Sequence, residues 1–291
     1  MTVPPADRDP FFARGVFLVL LGALVLSSGG PIIRQVEEAS DWQIAFFRGL
    51  AQAIMVLCVV AVLHRGKLIT VFRNAGRAGL IGGIALGLGN VCYILSIANT
   101  TIANTMFLLS IIPFLTAIAA WVTLGERVRP ASWVAIGFAT LGVVVMVQEG
   151  IAGGRAFGNI MGLAAAANGA FFYVAIRAGR RFDMIPTVCI AGVVAAIFSG
   201  SVAAGSGLFT ISAHDLFFSS LMGFGQVGIG MLLYTVGARY VRAAELAILS
   251  LTEFIVSPIW GWLIVGEVPV AATILGGVII LGAVGGSALW R

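Results

Sequence analysis

Residues Ala103 to Val128 read ANTMFLLSIIPFLTAIAAWVTLGERV, and residues Ala244 to Val268 read AELAILSLTEFIVSPIWGWLIVGEV. Each is a long apolar run with a proline inside it, Pro113 or Pro258, and each closes on a Gly-Glu pair. The pairs Gly125-Glu126 and Gly266-Glu267 lie 141 residues apart, about half of the 291-residue chain. Tyr93 and Tyr234 keep the same offset, as do Ala103 and Ala244. Self-similarity at a fixed offset marks a duplicated structural unit. The chain therefore divides into halves of residues 1–150 and 151–291.

What kind of unit is repeated follows from the apolar content. Hydrophobic residues make up 60% of the chain and charged residues only 10%, and the mean hydropathy is +1.07. A soluble domain carries roughly a quarter of charged residues. The apolar residues here fall in spans of about 20, the length that crosses a bilayer core as a helix. Lipid satisfies no backbone polar group, so such spans are helical. The short alternating segments of a β-barrel are missing from the sequence. The fold class expected is an all-α polytopic membrane protein.

Ten spans are read, five in each half. The first half has spans at about 15–33, 43–64, 78–98, 101–124 and 130–148. The second has them at about 157–178, 185–204, 216–238, 243–265 and 269–289. Ser40 and Gln43 have the spacing of a capping box for span two, and Ser212 to Asp215 suits a cap for span eight. Gly150 to Gly154 reads as the linker between the halves. Cys58, Cys92 and Cys189 all fall inside spans, without metal-ligand or CxxC spacing, and read as small buried hydrophobes.

Charge gives the orientation. With a cytoplasmic N-terminus, 14 of the 17 Lys and Arg residues lie in inside segments: Arg8, Arg14, Arg65, Lys67, Arg73, Arg77, Arg127, Arg129, Arg177, Arg180, Arg181, Arg239, Arg242 and Arg291. This is the distribution that the positive-inside bias produces, and it also accounts for the net charge of +5 without an anionic partner. Arg34 and Arg155 fall outside, and Arg48 lies within span two. An odd number of spans per half forces the second copy to sit upside down relative to the first. Inverted repeats are a common architecture of secondary transporters, with substrate held near the midplane between the halves.

The run from Ala98 to Gly142, with its N-TT-AN-T-FLLS-IPF-TA-AAWVTLGERV core, resembles the signature of the EamA family in the drug/metabolite transporter superfamily. Tyr234 to Gly282 resembles its counterpart in the second half, and Ala45-Phe46-Phe47-Arg48 is similar to the family's aromatic-arginine motif. Nearly the whole chain is covered. Within the superfamily the chain is most similar to bacterial exporters of aromatic amino acids and related metabolites. The resemblance implies a ten-helix carrier in the bacterial inner membrane, with both termini cytoplasmic, that exports amino acids by alternating access. The small four-span multidrug members use a glutamate in their first helix to exchange protons for cations, and span one here has no acidic residue.

Polar groups at membrane depth are costly in lipid and face the bundle interior or a cavity. Asn168, Gln226 and Glu253 fall near the midpoints of spans six, eight and nine. Asn90 and Tyr93 stand one helical turn apart on span three, and Tyr234 is the repeat partner of Tyr93. With Ser27, these are the candidate substrate-binding residues, supplying amide, phenol and carboxylate groups to a zwitterionic ligand. The bland reading is that a membrane Asn or Gln hydrogen-bonds a neighbouring helix. For Glu253, a structural carboxyl competes with a role in binding an ammonium or a coupling proton. Candidate hinge or gating residues are Gly30, Arg48, Pro113 and Pro258. The prolines remove helical hydrogen bonds, and Arg48 snorkels, pairs with an acid or gates the outer mouth. The glycine pairs Gly83/Gly87, Gly158/Gly162 and Gly282/Gly286 suit close helix packing.

Nothing in the chain calls for a metal, a cofactor or nucleic acid, and no enzymatic constellation is present. The expected partners are a small-molecule substrate and the bilayer, with the protein a monomer or weak dimer. The competing expectations are a carrier of other neutral metabolites, such as nucleobases, or a membrane sensor or enzyme. The last would need a clustered polar site at one membrane face.

Overall fold

The computed structural model describes residues 12–65, 67–125, 130–179, 182–205, 207–238, 240–241 and 243–289. Glu126 and the basic residues Arg8, Arg127, Arg129, Arg180, Arg181, Arg239, Arg242 and Arg291 lie outside them. The regular elements of the described residues are all helices, with no strand among them.

Seven helical segments are long and apolar enough to cross a membrane: 12–33, 41–63, 68–99, 102–123, 156–178, 185–203 and 213–234. Shorter apolar helices cover 133–148, 251–265 and 271–286. Large hydrophobic side chains such as Phe17, Val62, Ile69, Val122, Ile197, Leu263 and Val278 lie exposed on the outside of the bundle. In water a surface of this kind would drive aggregation; in a bilayer it is the lipid-facing surface of a multi-pass membrane protein.

The first segment is two helices, α1 (Phe12–Ser27) and α2 (Gly29–Ile33). The hydroxyls of Ser27 and Ser28 donate to the carbonyls of Leu24 and Val25 at the break. The capping box is present at α3 (Asp41–Leu63): Ser40 Oγ accepts the Gln43 amide, and the Gln43 side chain accepts the Ser40 amide. Helix α4 runs over Leu68–Asn99 and so begins ten residues before the expected span. The stretch read as a basic loop is helical because Val71 and Phe72 pack against Met55, Val56 and Val60 of α3. Gly76, at φ 58°, turns the chain between this entry and the main helix, a conformation that suits a residue without Cβ.

The expected span four is broken into α5 (Ile102–Leu109) and α6 (Ile112–Leu124). Pro113 thus stands in the first turn of α6, where its missing N–H costs nothing, and it is not a kink inside a continuous helix. Helix α7 (Pro130–Ala152) extends through most of the expected linker, leaving Gly153 and Gly154 as the turn into α8 (Ala156–Ala178). Helix α9 is Ile185–Ala203. The next segment, α10 (Ala213–Leu221) and α11 (Gly230–Ala238), carries a π-helical stretch, π1, at Met222–Ile229. Helix α12 (Ala243–Trp260) contains Pro258 and ends in a second π stretch, π2, at Gly261–Val265, before α13 (Ala271–Leu289).

The helices pair as α1 with α11, α3 with α9, α4 with α8, and α7 with α13. Glycines set how closely they approach. A Cβ on Gly192 would stand 2.7 Å from the Gly49 carbonyl, and one on Gly142 would stand 2.7 Å from that of Gly276. Gly83 and Gly87 lie against α9, and Gly158 and Gly162 against the ends of α4 and α5, as the small-residue spacing implies. Gly282 and Gly286 do not follow: a Cβ at either meets nothing among the described residues. They lie on a face of α13 that no described helix covers. Cys189 is buried, but Cys58 is exposed and Cys92 only half-buried, since α3 turns residue 58 outward.

Candidate functional site

A cavity of about 480 Å³ opens among α1, α3, α4, α5, α6, α8, π1, α11 and α12. Spans one, three, four, six, eight and nine of the sequence all contribute to its wall, and span two adds Arg48. Asn90, Tyr93, Gln226, Tyr234 and Glu253 are brought together on this wall, with Pro113. Leu86, Ile112, Phe172 and Phe254 supply apolar surface between them.

Each polar group is held differently. Asn90 Nδ2 donates to Gln52 Oε1 at 3.1 Å, and Gln52 Nε2 donates to the Val188 carbonyl at 3.0 Å, so a buried relay ties α4 through α3 to α9. Gln226 Nε2 donates to the Leu26 carbonyl at 2.8 Å, one residue before the α1–α2 break. Gln226 Oε1 is buried and has no hydrogen-bond partner among the described residues. The π turn carries Gln226 past Gly29, where an added Cβ would stand 2.6 Å from both Gln226 Nε2 and the Tyr93 hydroxyl. Stretches of π-helix inside α-helices are frequent at functional sites.

Arg48 does not snorkel, and among the described residues it pairs with no acid. It is 4% exposed, and its Cζ lies 5.2 Å from the centroid of the Tyr93 ring. This is a cation–π distance. Its Nε has no hydrogen-bond partner. The chain turns it inward because α3 packs on α9 and π1, closely enough that a Cβ on Gly223 would stand 2.1 Å from the Arg48 carbonyl. Glu253 of α12 shares the cavity wall.

Four candidates lie elsewhere. Asn168 bonds the Ala164 carbonyl one turn back along α8 and packs beside Gly89, off the cavity stripe. Ser27 is fully buried, and its hydroxyl accepts Trp260 Nε1 at 3.1 Å. Gly30 makes room for Ile102, and Pro258 is within α12 away from the lining. Conversely Thr116, Tyr173 and Arg177 line the cavity without having been singled out. Periodicity within an almost wholly apolar helix gave no sign of which face turns inward.

The two ends of the bundle differ. At one end, Glu267 Oε1 accepts the Ile102 amide at 2.8 Å and Glu267 Oε2 faces Arg34 Nε at 3.4 Å. Arg34 also donates to the Thr100 carbonyl. Asn159 Oδ1 accepts from Asn104 and from Thr100 there, and Asn99 donates to Asp41. Asp215, fully buried, accepts the backbone amides of Glu37, Glu38 and Ala39 at 2.8–3.0 Å. None of these residues lines the cavity. The lining instead follows α8 from Ala165 to Tyr173, which is 41% exposed, and on to Arg177 in the last turn.

A multi-pass helical bundle enclosing a mixed polar and apolar cavity of this size has room for a small molecule at membrane depth. The chain belongs to the EamA-like transporter family, whose sequence profile matches residues 13–148 and again residues 156–288. It is similar to the pseudopaline exporter CntI of Pseudomonas aeruginosa strains UCBPP-PA14 and PAO1, with 25% identity over 270 residues, covering 92% of this chain and 93% of the relative. A solved crystal structure at 17% identity matches with a TM-score of 0.67 over 95% of this chain and 97% of the other, a likeness of fold.

Proposed function

We propose that this protein is a secondary transporter that exports amino acids, aromatic ones included, and related zwitterionic metabolites by alternating access. The observation that carries the reading is the cavity itself: a guanidinium, a carboxylate, amides and phenols line it among aromatic and aliphatic side chains. That set complements a molecule with a carboxylate, an ammonium and an apolar side chain.

The architecture proposed is ten spans in two inverted five-span repeats, residues 1–150 and 151–291, in a bacterial inner membrane with both termini cytoplasmic. The family profile's two matches, one in each half, support it. So does the pairing of helices. A two-fold axis in the membrane plane exchanges span one with six and three with eight, so it turns the α1–α11 pair into the α8–α4 pair, and leaves α3–α9 and α7–α13 each mapped onto themselves. In this orientation the polar-bonded end is extracellular, and the cavity faces the cytoplasm, as an exporter loading its cargo requires. A relative named as an exporter supports the direction. The protein acts as a monomer or weak dimer, with Asn90, Tyr93, Gln226, Tyr234 and Glu253 contacting cargo.

The test is flux of labelled phenylalanine, threonine and methionine in proteoliposomes. Counterflow of at least one of them is expected, and none for any of a broad amino-acid panel would overturn the cargo. A carrier of uncharged metabolites such as nucleobases is the second reading, but it leaves Arg48 and Glu253 without a purpose in the cavity.

A further inference from the structure

Arg48 is a buried charge that the described residues leave without a counter-ion. A buried guanidinium in a bilayer protein costs several kcal/mol unless it is paired and hydrogen-bonded, and a native structure meets that cost with a nearby carboxylate or a set of carbonyls. Arg48 forms no ion pair and no hydrogen bond with the described residues, and its Nε is wholly buried without an acceptor. What it has is the face of Tyr93 and the cavity. An unpaired cation at the cavity is one half of a receptor whose other half comes from outside.

We infer that Arg48, backed by the Tyr93 ring, is the anchor for the carboxylate of the cargo. The inference rests on the proposed transport reading and narrows it: the cargo is a molecule with a free carboxylate. The guanidinium fork offers a planar carboxylate two parallel hydrogen bonds, and Tyr93 beneath keeps the fork oriented. The empty carrier then holds an uncompensated cation, and binding of a carboxylate removes that penalty. Selectivity for the carboxylate thus arises from the cost of leaving Arg48 bare.

Two measurements on the full-length protein in nanodiscs test this. In the first, phenylglyoxal modifies arginine, and mass spectrometry follows the rate at Arg48 with phenylalanine or phenylalaninamide present. Phenylalanine is expected to slow labelling by on the order of 10-fold, the scale of one hydrogen bond to a charged group, and phenylalaninamide by less than about 2-fold on the same scale. Equal protection by both, protection by neither across a panel of carboxylates including benzoate, or an Arg48 that does not react when empty would overturn the inference. In the second, competition binding compares the same two ligands in wild type, Arg48→Lys and Arg48→Gln. The preference for the carboxylate is expected to fall in Arg48→Lys and vanish in Arg48→Gln. A merely structural Arg48 would instead lower both affinities together.

Flux separates the two claims. Amino-acid flux with carboxylate-independent labelling of Arg48 overturns the anchor and leaves the transport reading standing. Protection by benzoate but not benzamide, without amino-acid flux, overturns the cargo and leaves the anchor.

Discussion

Glu267 and Ile102, 165 residues apart in sequence, are joined by a hydrogen bond of 2.8 Å from the Ile102 amide to the Glu267 carboxylate. Ile102 is the first residue of α5, where helical N–H groups have no partner in their own helix. A carboxylate there satisfies one of them and meets the positive end of the helix dipole. Gly266, at φ 75°, turns the chain so that the next side chain can reach across. Glu267 therefore does more than close its own helix: it fastens the end of one proposed repeat to the other, with Arg34 on its second oxygen.

Replacing Glu267 should loosen that end in a graded way. Glu267→Gln keeps an acceptor for Ile102 and loses the charge facing Arg34, whereas Glu267→Ala loses both. The Ala variant is expected to be destabilised by roughly 1–3 kcal/mol, the cost of an unsatisfied buried donor, and the Gln variant by less. Hydrogen–deuterium exchange of the segment around Ile102 should rise in the same order. Exchange unchanged in Glu267→Ala would show that the bond does not hold the end closed.

Asp215 is predicted to matter more for stability than any cavity residue. It is fully buried and accepts three successive backbone amides from the loop before α3, while its own amide is capped by Ser212 Oγ. Asp215→Ala strands all three donors, and Asp215→Asn sets an NH₂ against one of them. Thermal unfolding midpoints should fall in the order wild type, Asn, Ala, with a loss for the Ala variant of at least about 2 kcal/mol.

The approach of π1 to α3 gives a paired prediction. In Gly223→Ala the new methyl would meet the Arg48 carbonyl at 2.1 Å, so π1 and α3 must separate and carry Gln226 and Arg48 apart. Phenylalanine affinity should fall by at least about 10-fold, with a stability cost of about 1–3 kcal/mol typical of overpacking. Gly282→Ala adds the same methyl where nothing stands among the described residues, and it should leave both quantities unchanged.

Glu253 is the acidic member of the cavity wall and the counterpart of Arg48 for a zwitterion. Glu253→Gln should weaken phenylalanine binding by on the order of 10-fold, as loss of a hydrogen bond to a charged group does. Phenylpropionate, which lacks the ammonium, should bind it no worse than wild type. Isothermal titration of the two ligands provides the check, and equal losses for both would assign Glu253 to packing.

What was legible in the sequence was what is settled within a few residues or by the membrane itself. The apolar spans, the Ser40–Gln43 capping box and the Ser212–Asp215 cap follow from hydrogen bonds made locally along the chain, and the duplication from spacing alone. The side of each helix that faces the cavity was not legible, because helices apolar on nearly every side carry no polar stripe to mark an inner face. Packing decided that Arg48 turns in over Tyr93 while Asn168 bonds its own helix and Ser27 serves Trp260. Packing also placed the break at Ser110 and Ile111 ahead of Pro113, and the reach of Glu267 to Ile102. The Ser27–Trp260 and Ile102–Glu267 contacts join residues from opposite halves of the chain, so only the assembled bundle brings these partners within hydrogen-bonding distance.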